Sequence, residues 1–339
     1  VAVEREPMPG SHFRELLSGD SGTLLAAVVA VLAASVVLVG AATAIGVFGM
    51  PQVVAIDNHL VGANETTTKV QSQLTVTNPN PFPITLRRAD VAHTVFLNGI
   101  AVGDGQRSGV SLGPGNSSVD VRTGLENDRI DEWWVTHVRR GERTNLTVDA
   151  TVESGRLDRS VSRRVTDRTV RTDIISTFNR SETIPVNASR AVVSDPVLYV
   201  NETTARWGNV TTNRTVIHTR LRVYNPKTYA VPITGVRYDV GMNDVAVANG
   251  STRDLSAIPP RSHRNVTARL VVDNGRLDEW WVSHVRRNQT TTVRVDYAVS
   301  LDLSAYGGQN RTVSPEPIER TIRTDVFGAH GGETKLQFS

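Results

Sequence analysis

Between Lys69 and Thr77 the chain alternates: Val70, Ser72, Leu74 and Val76 are interleaved with Lys69, Gln71, Gln73, Thr75 and Thr77. Successive side chains of a strand point to opposite faces, so this period predicts a β-strand with one face buried. Ile217, Thr219, Leu221 and Val223 alternate with His218, Arg220 and Arg222 in the same way. Asn98-Gly99 lies between Val95-Phe96-Leu97 and Ile100-Ala101-Val102, which predicts a type I′ hairpin because both turn residues need positive φ. Asn243-Asp244 takes the same place later in the chain. Further strands are expected at Ser117–Thr123 and Asn145–Val152, echoed at Asn265–Val272 and Thr292–Leu301.

The period changes once in each series. Ile130, Trp134, His137 and Val138 fall at i, i+4, i+7 and i+8, one stripe of a helix. Asn127 and Asn274 are expected to cap the helix starts, with Asp131-Glu132 and Asp278-Glu279 complementing the first turns. Gly141 and Asn288 suit a left-handed stop.

The series is a duplication. Asp131-Glu132-Trp133-Trp134-Val135-Thr136-His137-Val138-Arg139-Arg140 returns 147 residues later as Asp278-Glu279-Trp280-Trp281-Val282-Ser283-His284-Val285-Arg286-Arg287. Asn78-Pro79 returns as Asn225-Pro226, and Arg168 to Asp173 returns as Arg320 to Asp325. Ordered matches across a whole unit predict two domains, 51–178 and 192–329, joined by a linker at 179–191 and followed by a flexible tail at 330–339. The expected fold is all-β: two tandem antiparallel β-sandwiches of fibronectin or immunoglobulin type, each with one short α-helix.

Upstream the pattern is neither strand nor amphipathic helix. No charged residue occurs from Ser21 to Ile56, and residues 23–50 are densely apolar. About 26 helical residues rise roughly 39 Å, enough to cross a hydrocarbon core of about 30 Å. The expectation is one transmembrane helix at 23–50 behind a short cytoplasmic segment at 1–22. A cleaved signal peptide is the competing reading, because Ala42-Thr43-Ala44 resembles a small-residue cleavage site. Arg5 and Arg14 precede the run and only Lys69 follows closely, which favours the N-terminus inside. Twelve N-x-[ST] acceptors all lie after the run: Asn64, Asn116, Asn145, Asn179, Asn187, Asn201, Asn209, Asn213, Asn249, Asn265, Asn288 and Asn310. That excess suggests exposure to a surface glycosylation machinery, with the C-terminal domains extracellular at the cell membrane.

Composition narrows the chemistry. The 339 residues are 39% hydrophobic and 21% charged, values suited to globular domains. A net charge of +3, with Arg and Asp/Glu interspersed, gives no basic patch for nucleic acid. Absence of cysteine excludes disulfides, thiolate metal sites and Cys nucleophiles. Only Lys69, Lys227 and Lys335 are lysines; the Arg-, Val-, Thr- and Asp-rich remainder suggests a high-GC prokaryote such as a halophilic archaeon.

The Asn78-to-Ile84 run, Asn-Pro-Asn-Pro-Phe-Pro-Ile, ends an alternating strand and leads to a hairpin turning at Asn98-Gly99. Together with Gly113-Pro114-Gly115 it resembles the type 2 late-embryogenesis-abundant domain, also called the WHy (water stress and hypersensitive response) domain. The second unit departs from the pattern at Asn225-Pro226-Lys227 and rests on its similarity to the first. The resemblance implies a fibronectin-like sandwich, a link to desiccation and osmotic stress, membrane anchoring in some members, and proposed lipid binding in relatives. It brings no catalytic residues.

The residues point to no catalytic site, metal site or cofactor. The eight histidines lack metal-ligand spacing, and neither a nucleophile elbow nor a phosphate loop occurs. The open question is the tryptophans. Trp133 and Trp134, like Trp280 and Trp281, point about 100° apart on a helix, so both need not enter one core: either both pack under or beside the sheet, or one borders a ligand groove, the partner repeat or the membrane interface. Arg139-Arg140 and Arg286-Arg287 then offer contacts to anionic headgroups or glycans. The expected function is non-catalytic: a surface protein with a protective or binding role in water stress. A structural or adhesion module and a lipid or hydrophobic-ligand carrier are the alternatives. Expected partners are the membrane, then a lipid or an envelope protein or glycan.

Overall fold

A computed structural model describes residue 49 and residues 51–154, 159–187, 195–252, 257–302, 304, 310–314 and 317–323. The expected membrane span at 23–50, the N-terminal segment at 1–22 and the tail at 330–339 lie outside the described residues, apart from Gly49. Among the described residues no helix is long and apolar enough to cross a membrane.

Strands dominate, all paired antiparallel, in two compact units. The first unit holds a seven-stranded sheet built from β1 (Gln52–Ala63), β2 (Thr67–Asn78), β3 (Ile84–Leu97), β4 (Ile100–Leu112), β5 (Gly115–Glu126), β6 (Arg143–Ser154) and β7 (Arg159–Arg171). Its order is β1-β2-β5-β4-β3-β6-β7. The alternation read from the sequence is the observed burial: Val70, Leu74 and Val76 are buried on β2, while Lys69, Gln73 and their neighbours face outward or lie half-buried. Val119 and Val121 of β5 and Leu146 and Val148 of β6 are buried core residues too. Asn98 and Gly99 have φ of 55° and 86°, as the type I′ turn requires.

The strands form one continuous curled sheet, where two separate layers were expected. The fold-over is at β4 and β5, which pair only at Gly103–Leu125 and Asp104–Gly124. Strands must approach closely there: a Cβ on Gly103 would lie 2.5 Å from the Gly124 carbonyl oxygen. Glycine is the residue that permits this approach.

The second unit repeats the plan. Its sheet contains β8 (Ile184–Val186), β9 (Leu198–Val210), β10 (Arg214–Tyr224), β11 (Ile233–Met242), β12 (Val245–Thr252), β13 (His263–Asp273), β14 (Thr290–Leu301), β15 (Arg311–Val313) and β16 (Ile318–Arg323). The order runs β15-β14-β11-β12-β13-β10-β9-β8, with β16 also on β14. Here β12 and β13 pair only at Ala248–Val272 and Asn249–Val271, the counterpart of the β4–β5 fold-over. Part of the segment expected to link the repeats, Ile184–Val186, is itself a strand on β9.

Two α-helices occur among the described residues, α1 (Ile130–Arg139) and α2 (Leu277–Arg286). Each follows a 3-10 turn, Asn127–Arg129 or Asn274–Arg276. The residues next to the helices are therefore Arg129 and Arg276, and neither gives a side-chain cap. The expected Asn127 and Asn274 caps are thus corrected. Asp273 instead caps the second 3-10 turn, accepting the Gly275 amide at 3.1 Å. The helix ends are as expected: Gly141 and Asn288 are left-handed, and so are Glu142 and Gln289 after them.

The units do not follow the repeats residue by residue. Asn127–Glu142, which carries α1 of the first repeat, belongs to the second unit together with Asp173–Arg323. The second unit therefore contains both helices, and one of its cores joins Trp134, Val135 and Val138 of α1 to Ile217, Val240, Leu270 and Val272 of its sheet.

Candidate functional site

The tryptophan helices are the residues singled out by sequence, and the second unit shows what they do. Trp134 is 7% exposed. Its indole N–H donates to Thr215 Oγ1 at 3.0 Å, and the Thr215 hydroxyl donates to Asn274 Oδ1 at 2.9 Å. Asn274 Nδ2 donates onward to the Thr211 and Thr212 carbonyls at 2.9 and 3.2 Å. Thr215 and Asn274 are fully buried, so every donor in this chain needs its acceptor. Trp134 also meets Trp207 edge-on, with ring centroids 5.8 Å apart at 84°.

Glu142 completes the cluster. It is 4% exposed, and its carboxylate accepts the Trp207 indole N–H at 2.9 Å, the Ile175 amide at 3.0 Å and the Ile174 amide. Hydrogen bonds to an ionised acceptor are about twice as strong as neutral ones. Glu142 thus holds the segment between the repeats and one strand of the second sheet from a single buried point.

Trp133 is half-buried against the same core. Trp280 is half-buried too, and its indole N–H donates to Thr291 Oγ1 at 3.0 Å. That hydroxyl lies 2.7 Å from His284 Nδ1. Indole is a donor only, so the Thr291 oxygen accepts from Trp280 and shares a second hydrogen bond with His284 Nδ1. Trp281 is 6% exposed and stacks at a tilt against His284, centroids 6.2 Å apart. Burial holds His137 and His284 down to about 4, and the buried His93, which bonds Thr123 Oγ1 at 3.0 Å, likewise. All four tryptophans of the pairs are thus packed.

Arg139 donates through Nε and Nη2 to the Val210 carbonyl at 3.2 and 2.6 Å, closing the end of β9. Arg287 pairs with Asp244 at the turn between β11 and β12. Arg140 and Arg286 are exposed. The structure gives the four arginines separate surroundings.

A cleft of about 610 Å³ opens elsewhere on the second unit. Its chemistry is set by Arg214, Arg276, Arg294, Asp239, Asp244, Asp273 and Asp296; none of the tryptophans lines it. Asp239 and Asp296 stand opposite each other on β11 and β14, and Arg294 binds Asp296 through two bonds of 2.9 and 3.0 Å. No group of three or more His, Asp or Glu placed to hold a metal occurs among the described residues.

The twelve glycan acceptors divide. Asn64, Asn116, Asn179, Asn187, Asn209, Asn213, Asn249, Asn265, Asn288 and Asn310 are exposed, while Asn145 and Asn201 are half-buried. Asn179 Oδ1 accepts the Ala205 amide at 2.8 Å, and Asn249 and Asn213 border the charged cleft.

At the Asn-Pro turns the asparagine side chains bond their own backbone. Asn78 Oδ1 accepts the Asn80 amide two residues on at 3.1 Å, and Asn225 Oδ1 accepts the Lys227 amide at 2.8 Å. Both side chains are buried and also bind carbonyls of the neighbouring turn, Leu112 in one unit and Ile258 in the other.

The late embryogenesis abundant protein family model, type 2, matches residues 73–168 and 220–331, more than half of the chain. The chain belongs to this family. Two tandem LEA type 2 domains are therefore shown, one in each repeat. Among curated proteins, none matches the sequence. Of solved structures, a crystal structure of a protein from Archaeoglobus fulgidus is 26% identical over 37% of this chain and 98% of that one, with a TM-score of 0.33. A solution structure of an Arabidopsis thaliana protein is 17% identical over 45% and 95%, with a TM-score of 0.29. A Bacteroides uniformis beta-glucuronidase is 10% identical over 76% of this chain and 26% of its own, with a TM-score of 0.24. TM-scores this low carry no argument, and the glucuronidase lends this LEA type 2 chain no hydrolytic role.

The sequence did not single out Glu142, Trp207, Thr215 or Asn274 as a cluster. One signal was present: Glu142 and Gln289 stand 147 residues apart at the helix ends, and the first repeat has a carboxylate where the second has an amide.

Proposed function

We propose that the chain is a membrane-anchored protein of the cell envelope whose tandem LEA type 2 domains lie outside the cytoplasm and act without catalysis under water or osmotic stress. The observation that carries this reading is the pair of family matches, since LEA type 2 domains are associated with stress. The apolar run at 23–50 supports the anchor, and the exposure of ten glycan acceptors supports an outward position. Each curled sheet serves as a scaffold that carries its loops. Deleting the gene is expected to lower survival after drying or an abrupt salt shift, with rescue by the full chain and not by one lacking 23–50. Unchanged survival of the deletion strain sinks the stress role.

The tandem arrangement also suits a surface structural or adhesion module, and cross-linking that recovers one stable envelope protein or glycan would favour it. A carrier of lipid or another hydrophobic ligand needs an apolar wall. Packed tryptophans and a charged cleft give it less support.

A further inference from the structure

We propose that the loop end of the first unit carrying Phe82 inserts into the headgroup layer of the membrane that the chain's own apolar run spans. This docking rests on the anchored reading above and adds a defined surface to it.

The chain leaves the apolar run through Gly49, and Gly49 is clasped by the Asn-Pro loop. Its amide donates to Asn80 Oδ1 at 3.0 Å, and its carbonyl accepts from Asn80 Nδ2 at 2.8 Å. The seating is close: a Cβ on Gly49 would lie 2.5 Å from Pro79 Cγ. Asn80 is buried and bonded in turn to Asn78 Oδ1 through Nδ2 at 2.8 Å. Asn78 Nδ2 reaches the carbonyls of Phe82 at 2.9 Å and Leu112 at 3.2 Å, which ties in the Gly113-Pro114 turn. Two loops and the emerging chain therefore form one bonded end.

Phe82 is 40% exposed on that end, flanked by exposed Pro81 and Pro83, with Pro114 exposed on the neighbouring turn. It lies two residues from Asn80, so its backbone is within about 7 Å of the residue that grips Gly49. Roughly 5–7 Å separates the hydrocarbon edge from the outer headgroup surface. A span that leaves the hydrocarbon near Gly49 thus brings Phe82 within reach of the headgroup layer.

The equivalent end of the second unit supplies the contrast. No ionisable residue occurs from Asn78 to Thr85 or from Leu112 to Ser118. The corresponding turns of the second unit carry Lys227, Arg261, His263 and Arg264, and the Arg261 amide bonds the Lys227 carbonyl at 3.1 Å. Duplicated turns have thus kept their Asn and differ in charge where only one unit adjoins the apolar run. An uncharged aromatic and proline surface suits the bilayer interface.

The chain has no cysteine, so Phe82→Cys and Thr228→Cys each create one labelling site; Thr228 is the exposed control on the second unit's turn. The full chain is reconstituted in phosphatidylcholine–phosphatidylglycerol vesicles with an environment-sensitive fluorophore on that cysteine. Headgroup-proximal spin-labelled lipid is then added as quencher. Several-fold stronger quenching at 82 than at 228 is expected. Gly49→Val, which forces Pro79 away, should reduce quenching at 82 while the chain still floats with the vesicles. Equal, weak quenching at both sites in floating vesicles overturns the docking and leaves the anchor standing. A chain that does not float overturns the anchor and the docking together.

Discussion

Glu142 is left-handed, buried, and surrounded by three N–H donors. A carboxylate offers two oxygens to those donors, whereas an amide offers one oxygen and sets an NH2 against the remaining donor. Glu142→Gln, although Gln is the residue at the equivalent position of the second repeat, should cost about 2 kcal/mol of stability in the second unit. A denaturant midpoint unchanged from wild type would show that the clamp is dispensable. The buried histidines set a pH dependence. Each stays neutral in the folded chain down to about pH 4 but takes up a proton near 6.5 when unfolded. Above 6.5 both states are neutral. Between 6.5 and 4 the unfolded chain binds more protons, so stability falls as the pH falls, and below 4 the loss is complete. The scale is roughly 3 kcal/mol per histidine. His284→Gln should flatten the curve of unfolding midpoint against pH over that window, and parallel curves for variant and wild type would refute the assignment.

At the scale of elements, the fold-over strand is the sensitive part. Gly103 lies where β4 and β5 touch through two residue pairs, and a side chain there meets the Gly124 carbonyl and the Leu125 side chain. Gly103→Val should destabilise the first unit by about 3 kcal/mol, read as a lower thermal midpoint. The same substitution at Gly99, which meets nothing within 4 Å, should act only through its positive φ and cost less. The strands, the hairpin at Asn98-Gly99 and both helices were legible because their cause is local: a period of two, a period of 3.6, and a turn that needs positive φ. The curl and the packing of α1 were not. Trp134 lies on a helical stripe with its surroundings left open by the sequence, and only the folded chain shows that its hydroxyl partner is Thr215, 81 residues away. Asn274 was legible as important and misassigned, because an Asn before a helix reads as a cap whether or not a 3-10 turn intervenes.

For the whole molecule, duplication was legible from motif order and is matched by two family regions. Grouping by contact was not, since it depends on which sheet a helix covers. The exposed acceptors carry the outward reading into a measurable pattern. Glycopeptide mass spectrometry of protein from its own host should find occupancy at several of the nine exposed asparagines away from the Phe82 end, which carries Asn116, and least at Asn145 and Asn201. Occupancy concentrated at those two would contradict folded-state exposure as the selecting factor. The most direct test of an anchored, outward-facing tandem module uses the absence of cysteine. Ser108→Cys and Thr204→Cys place one thiol on an exposed position of each unit, outside every glycan acceptor. Intact cells are treated with a membrane-impermeant maleimide, and membranes are then washed at alkaline pH. Labelling of both variants without lysis, on a chain that stays with the membrane, is the predicted result. Labelling only after lysis, or a chain released by the wash, would contradict it.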